Sequence, residues 1–135
     1  MERINFQLIE AKWKKKLLNQ KLYNKNGKNK IKTNIIEYLE FIQSLNVGEI
    51  YLNSILQDGT GFGYDFETIE KISSMINIPL IIAGGAGKKE HLLEGLKKNY
   101  VDAVATANLF NFIGNALPEA RKELIKKGFN VANWS

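Results

Sequence analysis

Three short segments hold residues whose types and spacing could do chemistry. Leu56-Gln57-Asp58-Gly59-Thr60 follows one apolar run, Gly84-Gly85-Ala86-Gly87 a second, and Thr106-Ala107-Asn108 a third. Glycine lets the backbone approach a ligand closely and turn its N–H groups towards anionic oxygens. A helical pattern with Leu92, Leu93 and Leu96 begins directly behind the second segment, and a helix N-terminus adds a dipole that favours an anion. The chemistry suggested is phosphate binding. Each segment alone is ordinary, since a glycine cluster after a strand is often a turn and Asp-Gly is a common turn pair. Their recurrence at successive strand ends favours a ligand site. His91 is the only histidine and, in the first turn of a helix, reads as a surface residue. No second His or Cys lies at ligand spacing, so no metal site is expected, and no cofactor is expected either.

The elements that must position these segments alternate in type. Arg3 to Ala11 reads as a buried strand, and residues 12–32 as an excursion after it, a hairpin turning at Asn26-Gly27. Asn34 to Leu45 has apolar residues at helical spacing. Val47 to Ile55 is a second strand. Asp65 is a suitable N-cap for a helix through Met75. Ile78 to Ala83 is a third strand, Lys88 to Lys98 a helix, and Val101 to Ala107 a fourth strand. Pro118 suits the first turn of a last helix and Gly128 its stop. Strands alternating with helices of this length imply a parallel α/β sheet. The strands are apolar nearly throughout, which predicts cover on both faces. In such sheets ligands bind at the C-terminal ends of the strands, where all three segments fall. Four units are half of an eight-unit barrel, or a small open sheet.

Composition limits the remaining choices. The chain has 135 residues, 44% hydrophobic and 24% charged, as expected for one domain with its own core. No apolar run approaches the ~20 residues of a membrane span. Cysteine is absent, which excludes disulfide and thiolate chemistry; with no signal-peptide layout at the N-terminus, a cytoplasmic location is expected. The net charge of +5 is uneven. Residues 1–32 carry ten Lys/Arg against two acids, whereas residues 33–135 carry nine against twelve. The stretch from Lys12 to Lys32 contains Trp13 and Tyr23 but no arginine. It reads as a solvated lysine-rich face rather than a nucleic-acid surface, because arginine is the usual phosphate and base reader.

Three longer motifs, GEIYLNSILQDGTGFGYD (48–65), IPLIIAGGAGKKEH (78–91) and DAVATANLFNF (102–112), closely resemble the C-terminal half of the cyclase subunit of imidazole glycerol phosphate synthase. The resemblance is strong from Gly48 onwards and weak before Thr33. It implies a half (βα)8 barrel, strands five to eight, as a single domain over residues 1–135. It implies a lyase of histidine biosynthesis that uses ammonia from a partner glutaminase to cyclise a bis-phosphorylated aminoimidazole ribonucleotide. The phosphate cradle implied comprises Asp58, Gly59, Thr60, Gly84, Gly85, Ala107 and Asn108, the last standing where the family usually has serine. Of the family's two acid–base aspartates, one matches Glu10, a longer carboxylate, and the other has no counterpart in this chain. Glu49 matches a charged ring that gates ammonia.

Two departures qualify the likeness. The family's Ile-Asp-Arg-Asp is Ile55-Leu56-Gln57-Asp58 here, and its Leu-Thr-Ser-Ile is Leu52-Asn53-Ser54-Ile55. The asparagine is similar to paralogues that supply ammonia for amidino groups on surface sugars. That pathway and a non-catalytic remnant are the alternative readings. Four units would leave open edges at the first and last strands, which invite association. The expectation is therefore a homo-oligomer, a partner chain carrying the N-terminal half, or a truncated product.

Overall fold

The computed structural model describes residues 5–9, 21–24, 28–107 and 116–132. Strand β1 is Asn5–Ile9, and a hairpin of β2 (Lys21–Asn24) and β3 (Asn29–Ile31) follows it. Helix α1 (Ile35–Ser44) leads to β4 (Ile50–Ser54), α2 (Phe66–Ser73) to β5 (Leu80–Ala83), α3 (Lys89–Leu96) to β6 (Ala103–Val104), and α4 (Ala116–Lys126) closes the order. The helices start and stop on local chemistry. The Asn34 side chain accepts the Glu37 N–H at 3.0 Å, and Asp65 accepts the Thr68 N–H at 3.2 Å; both are N-caps satisfying a donor the helix cannot. At the end of α4, Gly128 has φ +85°. Its N–H reaches the Ile125 carbonyl and the Phe129 N–H reaches that of Leu124, the two bonds of a Schellman stop.

The sheet order is β3-β2-β1-β4-β5-β6. β4 is parallel to β1 and to β5, and β5 is parallel to β6. The α/β class with a parallel core is thus as expected. The edge expected to be open at the first strand is not open: β2 pairs antiparallel with β1 in the register Gln7↔Tyr23, Leu8↔Leu22, Ile9↔Lys21. The hairpin is anchored by Leu22, which is fully buried, and by Ile31, which packs against the same core. The outer strand β3 is three residues long and bears exposed Lys30 between exposed Lys28 and Lys32, features that discourage edge-to-edge pairing. Asn26 and Gly27, the expected turn, lie outside the described residues.

Burial alternates along β4, so there the expectation of equal cover on both faces is corrected. Ile50, Leu52, Leu80 and Ile82 are at most 2% exposed and join Ile35, Leu39 and Ile42 of α1, Ile69 and Ile72 of α2 and Leu92 of α3 in one core. Tyr51, Asn53 and Ile81, at the intervening positions, are only half-buried. In β5 the alternation stops at the strand's end, where Ile82 and Ala83 are both buried.

Candidate functional site

Ser54 ends β4, Ala83 ends β5 and Val104 ends β6. The chain leaving each of these parallel strands stays at the same end of the sheet, and the three exits are bonded to one another. The Gly63 N–H donates to the Gly85 carbonyl at 2.8 Å, and Phe62 and Ala86 form an antiparallel bridge. The Tyr64 hydroxyl, two residues before α2 begins, donates to the Ala105 carbonyl at 3.0 Å. The Thr106 hydroxyl makes a longer bond, 3.4 Å, to the Ala86 carbonyl. Burial, and secondarily the nearby Tyr51, hold the Tyr64 hydroxyl well above the usual tyrosine range, so it remains a donor.

The glycines are required by this mutual contact. A Cβ on Gly85 (φ +101°) would lie 2.0 Å from the Gly63 carbonyl oxygen, and one on Gly84 (φ +89°) would lie 2.5 Å from that of Ser54 and 2.6 Å from Asn53 Oδ1. A Cβ on Gly87 would lie 2.5 Å from the Gly61 Cα. Gly85 and Gly87 thus lie against the Gly61–Gly63 loop, and Gly84 against the end of β4. Gly59 differs: its φ is +79°, and a Cβ there meets nothing within 4 Å.

His91 is 9% exposed, which corrects its reading as a surface residue. Its Nδ1 accepts the Gly87 N–H at 3.1 Å, and its ring faces Gly63, where a Cβ would stand 3.5 Å from Cδ2. The N-cap residue Lys88 makes no side-chain cap bond. His91, at the third helical position, instead reaches back across the turn as a capping-box residue does. That position in the first turn is the signal by which its role was recoverable. Tyr64 had no comparable signal, because its partner is 41 residues away.

The remaining candidates divide by exposure. Asp58, Gly59, Thr60 and Ala107 are exposed at the rim, whereas Gly84 and Gly85 are buried beneath it. The Asp58 N–H is held by the Ser54 carbonyl at 2.9 Å, and the Thr60 hydroxyl by the Gln57 carbonyl at 2.7 Å. Burial, then the Asp58 charge, raise the pKa of Tyr51. Glu49 directly precedes β4, at the opposite end of the strands. There Ile50 donates to the Pro79 carbonyl, and Pro79, Asn99, Tyr100 and Asp102 border a cavity of about 360 Å³. Glu10 and Asn108 lie outside the described residues. Among the described residues no group of three or more His, Cys, Asp or Glu could hold a metal ion, and no helix is long and apolar enough to cross a membrane.

Residues 7–114 match the family model described as histidine biosynthesis protein. The chain is similar to the subunit of imidazole glycerol phosphate synthase named HisF from Chlorobaculum parvum, 39% identical over 110 residues, 82% of this chain and 44% of that protein. The corresponding subunit from Clostridium botulinum is 43% identical over 96 residues, 71% of this chain and 38% of that protein. That from Pyrobaculum aerophilum is 35% identical over 123 residues, 91% of this chain and 47% of that protein. The chain thus spans less than half the length of these relatives.

Proposed function

The chain belongs to the histidine biosynthesis protein family, and from that membership we propose that it supplies the C-terminal half of a cyclase-type (βα)8 barrel, with a phosphate-binding site at its strand ends. The observation that carries this reading is the bonding of three successive strand exits into one surface, through Gly63 to Gly85 and Tyr64 to Ala105. The rim of that surface, Asp58, Gly59, Thr60 and Ala107, meets the ligand; Asn108 is a proposed contact on the family resemblance alone. Gly84 and Gly85 serve by letting the loops close on each other. The first-turn N–H groups of α3 start behind Gly87 with no side-chain cap from Lys88. They provide the positive end of a dipole for a phosphate oxygen.

The reaction proposed for the complemented barrel is the ammonia-dependent cyclisation of a bis-phosphorylated aminoimidazole ribonucleotide. Ring closure and cleavage need a proton donor and a proton acceptor. Glu10 is the proposed group on this chain, and its partner carboxylate belongs to the other half. Glu49, at the far end of β4, is the proposed gate for ammonia from a glutaminase subunit. Asn53, which stands where the family usually has threonine, favours a second reading by its resemblance to the paralogues, ammonia supply to sugar amidination.

Calorimetric titration of the chain with inorganic phosphate and ribose 5-phosphate tests the site, with saturable binding and a raised melting temperature expected. No stabilisation by either leaves a non-catalytic remnant. Mixing the chain with an N-terminal half barrel tests the activity: formation of imidazole glycerol phosphate supports the cyclase reading, and binding without product supports the amidination reading.

A further inference from the structure

Phe62 is 87% exposed, well beyond Phe41 at 57% and Leu45 at 54%. A benzyl group in water gains nothing for the fold. A single exposed apolar residue is by itself unremarkable; what sets Phe62 apart is that its backbone is fixed. Its N–H donates to the Thr60 hydroxyl at 3.2 Å, it bridges Ala86, and the next N–H is bonded to Gly85. Gly61 (φ +74°) and Gly63 (φ +108°) flank it, and the Gly61 Cα is packed against Gly87. The turn therefore holds an aromatic ring outwards at the rim, three residues from Gly59.

We propose that Phe62 is a specificity-determining residue of the phosphate site, a platform on which the heterocyclic ring of a phosphorylated ligand stacks. This rests on the phosphate-site reading above. The chemistry of the side chain selects the kind of contact: a phenyl ring carries neither charge nor hydrogen-bond partner, and it recognises a flat π face. Its surroundings select a small molecule over a protein. The preceding rim residues Asp58, Gly59, Thr60 and Gly61 add no apolar side chain to it, whereas a protein partner needs a contiguous apolar patch. A ligand that joins a phosphate to an aminoimidazole ring uses both features of the rim, the exposed Gly59 backbone for the anion and Phe62 for the ring.

Calorimetry on the full chain tests this with two probes, an aminoimidazole ribonucleotide and ribose 5-phosphate, which has the sugar and phosphate but no ring. Phe62→Ala is expected to weaken the ribonucleotide by about 5- to 150-fold, the range for loss of one stacked base. It should leave ribose 5-phosphate unchanged, and Phe62→Trp should restore ribonucleotide affinity with a ligand-dependent change in its fluorescence. Equal affinity of the Ala variant for the ribonucleotide, or equal loss for both probes, overturns the role of Phe62 while the phosphate site stands. Failure of the unaltered chain to bind either probe overturns both readings. Loss of self-association in Phe62→Ala, with ligand affinity intact, assigns the ring to a protein contact and also overturns the proposal.

Discussion

Gly85 and Gly59 both have left-handed backbone, yet alanine should affect them very differently. At Gly85 the new Cβ would stand 2.0 Å from the Gly63 carbonyl oxygen and 2.9 Å from Gln57 Cβ. Neither the backbone nor a β-carbon can rotate away, so the two loops must separate by more than an ångström. That movement breaks the 2.8 Å bond from the Gly63 N–H to the Gly85 carbonyl. Leaving that buried pair unmade costs about 1–3 kcal/mol, and the backbone strain at φ +101° adds about 1–3 kcal/mol. The expected loss for Gly85→Ala is therefore about 2–6 kcal/mol. At Gly59 nothing lies within 4 Å of the Cβ, and only strain remains, about 1–2 kcal/mol. Urea unfolding of both variants, read from the shift in midpoint at unchanged slope, measures the difference. Gly59→Ala costing as much as Gly85→Ala would refute the idea that loop-on-loop contact is what requires glycine. The same comparison limits how mutations at Gly84 or Gly85 can be read. Either change disrupts the rim's support, so lost phosphate binding there does not identify a residue that touches phosphate.

Two further perturbations probe the rest of the structure. Leu22→Ala empties a fully buried position and should cost about 2–5 kcal/mol; because Leu22 anchors the hairpin over β1, light scattering should also show increased association, and an unchanged mass would remove the hairpin's role as an edge cover. Tyr64 holds its proton in the folded state beyond the pH at which an unfolded tyrosine releases it, near 10. Its contribution is complete below that pH and is lost as pH rises through the folded value, so alkaline unfolding should be less steep in Tyr64→Phe. At neutral pH that variant should lose about 1 kcal/mol with its bond to Ala105, and an identical alkaline limb in the two proteins would contradict the assignment.

Local signals carried much of the architecture. Asn34, Asp65 and Gly128 mark helix boundaries because each acts on backbone within five residues of itself, and such chemistry is legible in a linear string. The helix expected through Met75 ends at Ser73; beyond it the Met75 and Ile76 N–H groups bond carbonyls three residues back, a tightened last turn. The strand expected over residues 101–107 is a two-residue ladder, Ala103–Val104. Asp102 still binds β5 through both its N–H and its carboxylate, each to Leu80, so part of the expected pairing is made outside the ladder.

The order of strands and helices, the three segments at strand ends and the family motifs were determined by the sequence alone, since they depend on composition and spacing along the chain. Tertiary structure decided what those residues touch. It placed Leu22 in the core and the hairpin along β1, buried His91 against Gly63, and set Gly84 against the end of β4 and Gly85 against Gly63. Each of these facts is a contact between segments that the spacing of residues does not encode, such as Gly63 with Gly85 and Tyr64 with Ala105. The physical reason is that a glycine needed for a ligand and a glycine needed for another backbone obey the same steric rule, and only the position of the neighbour tells them apart.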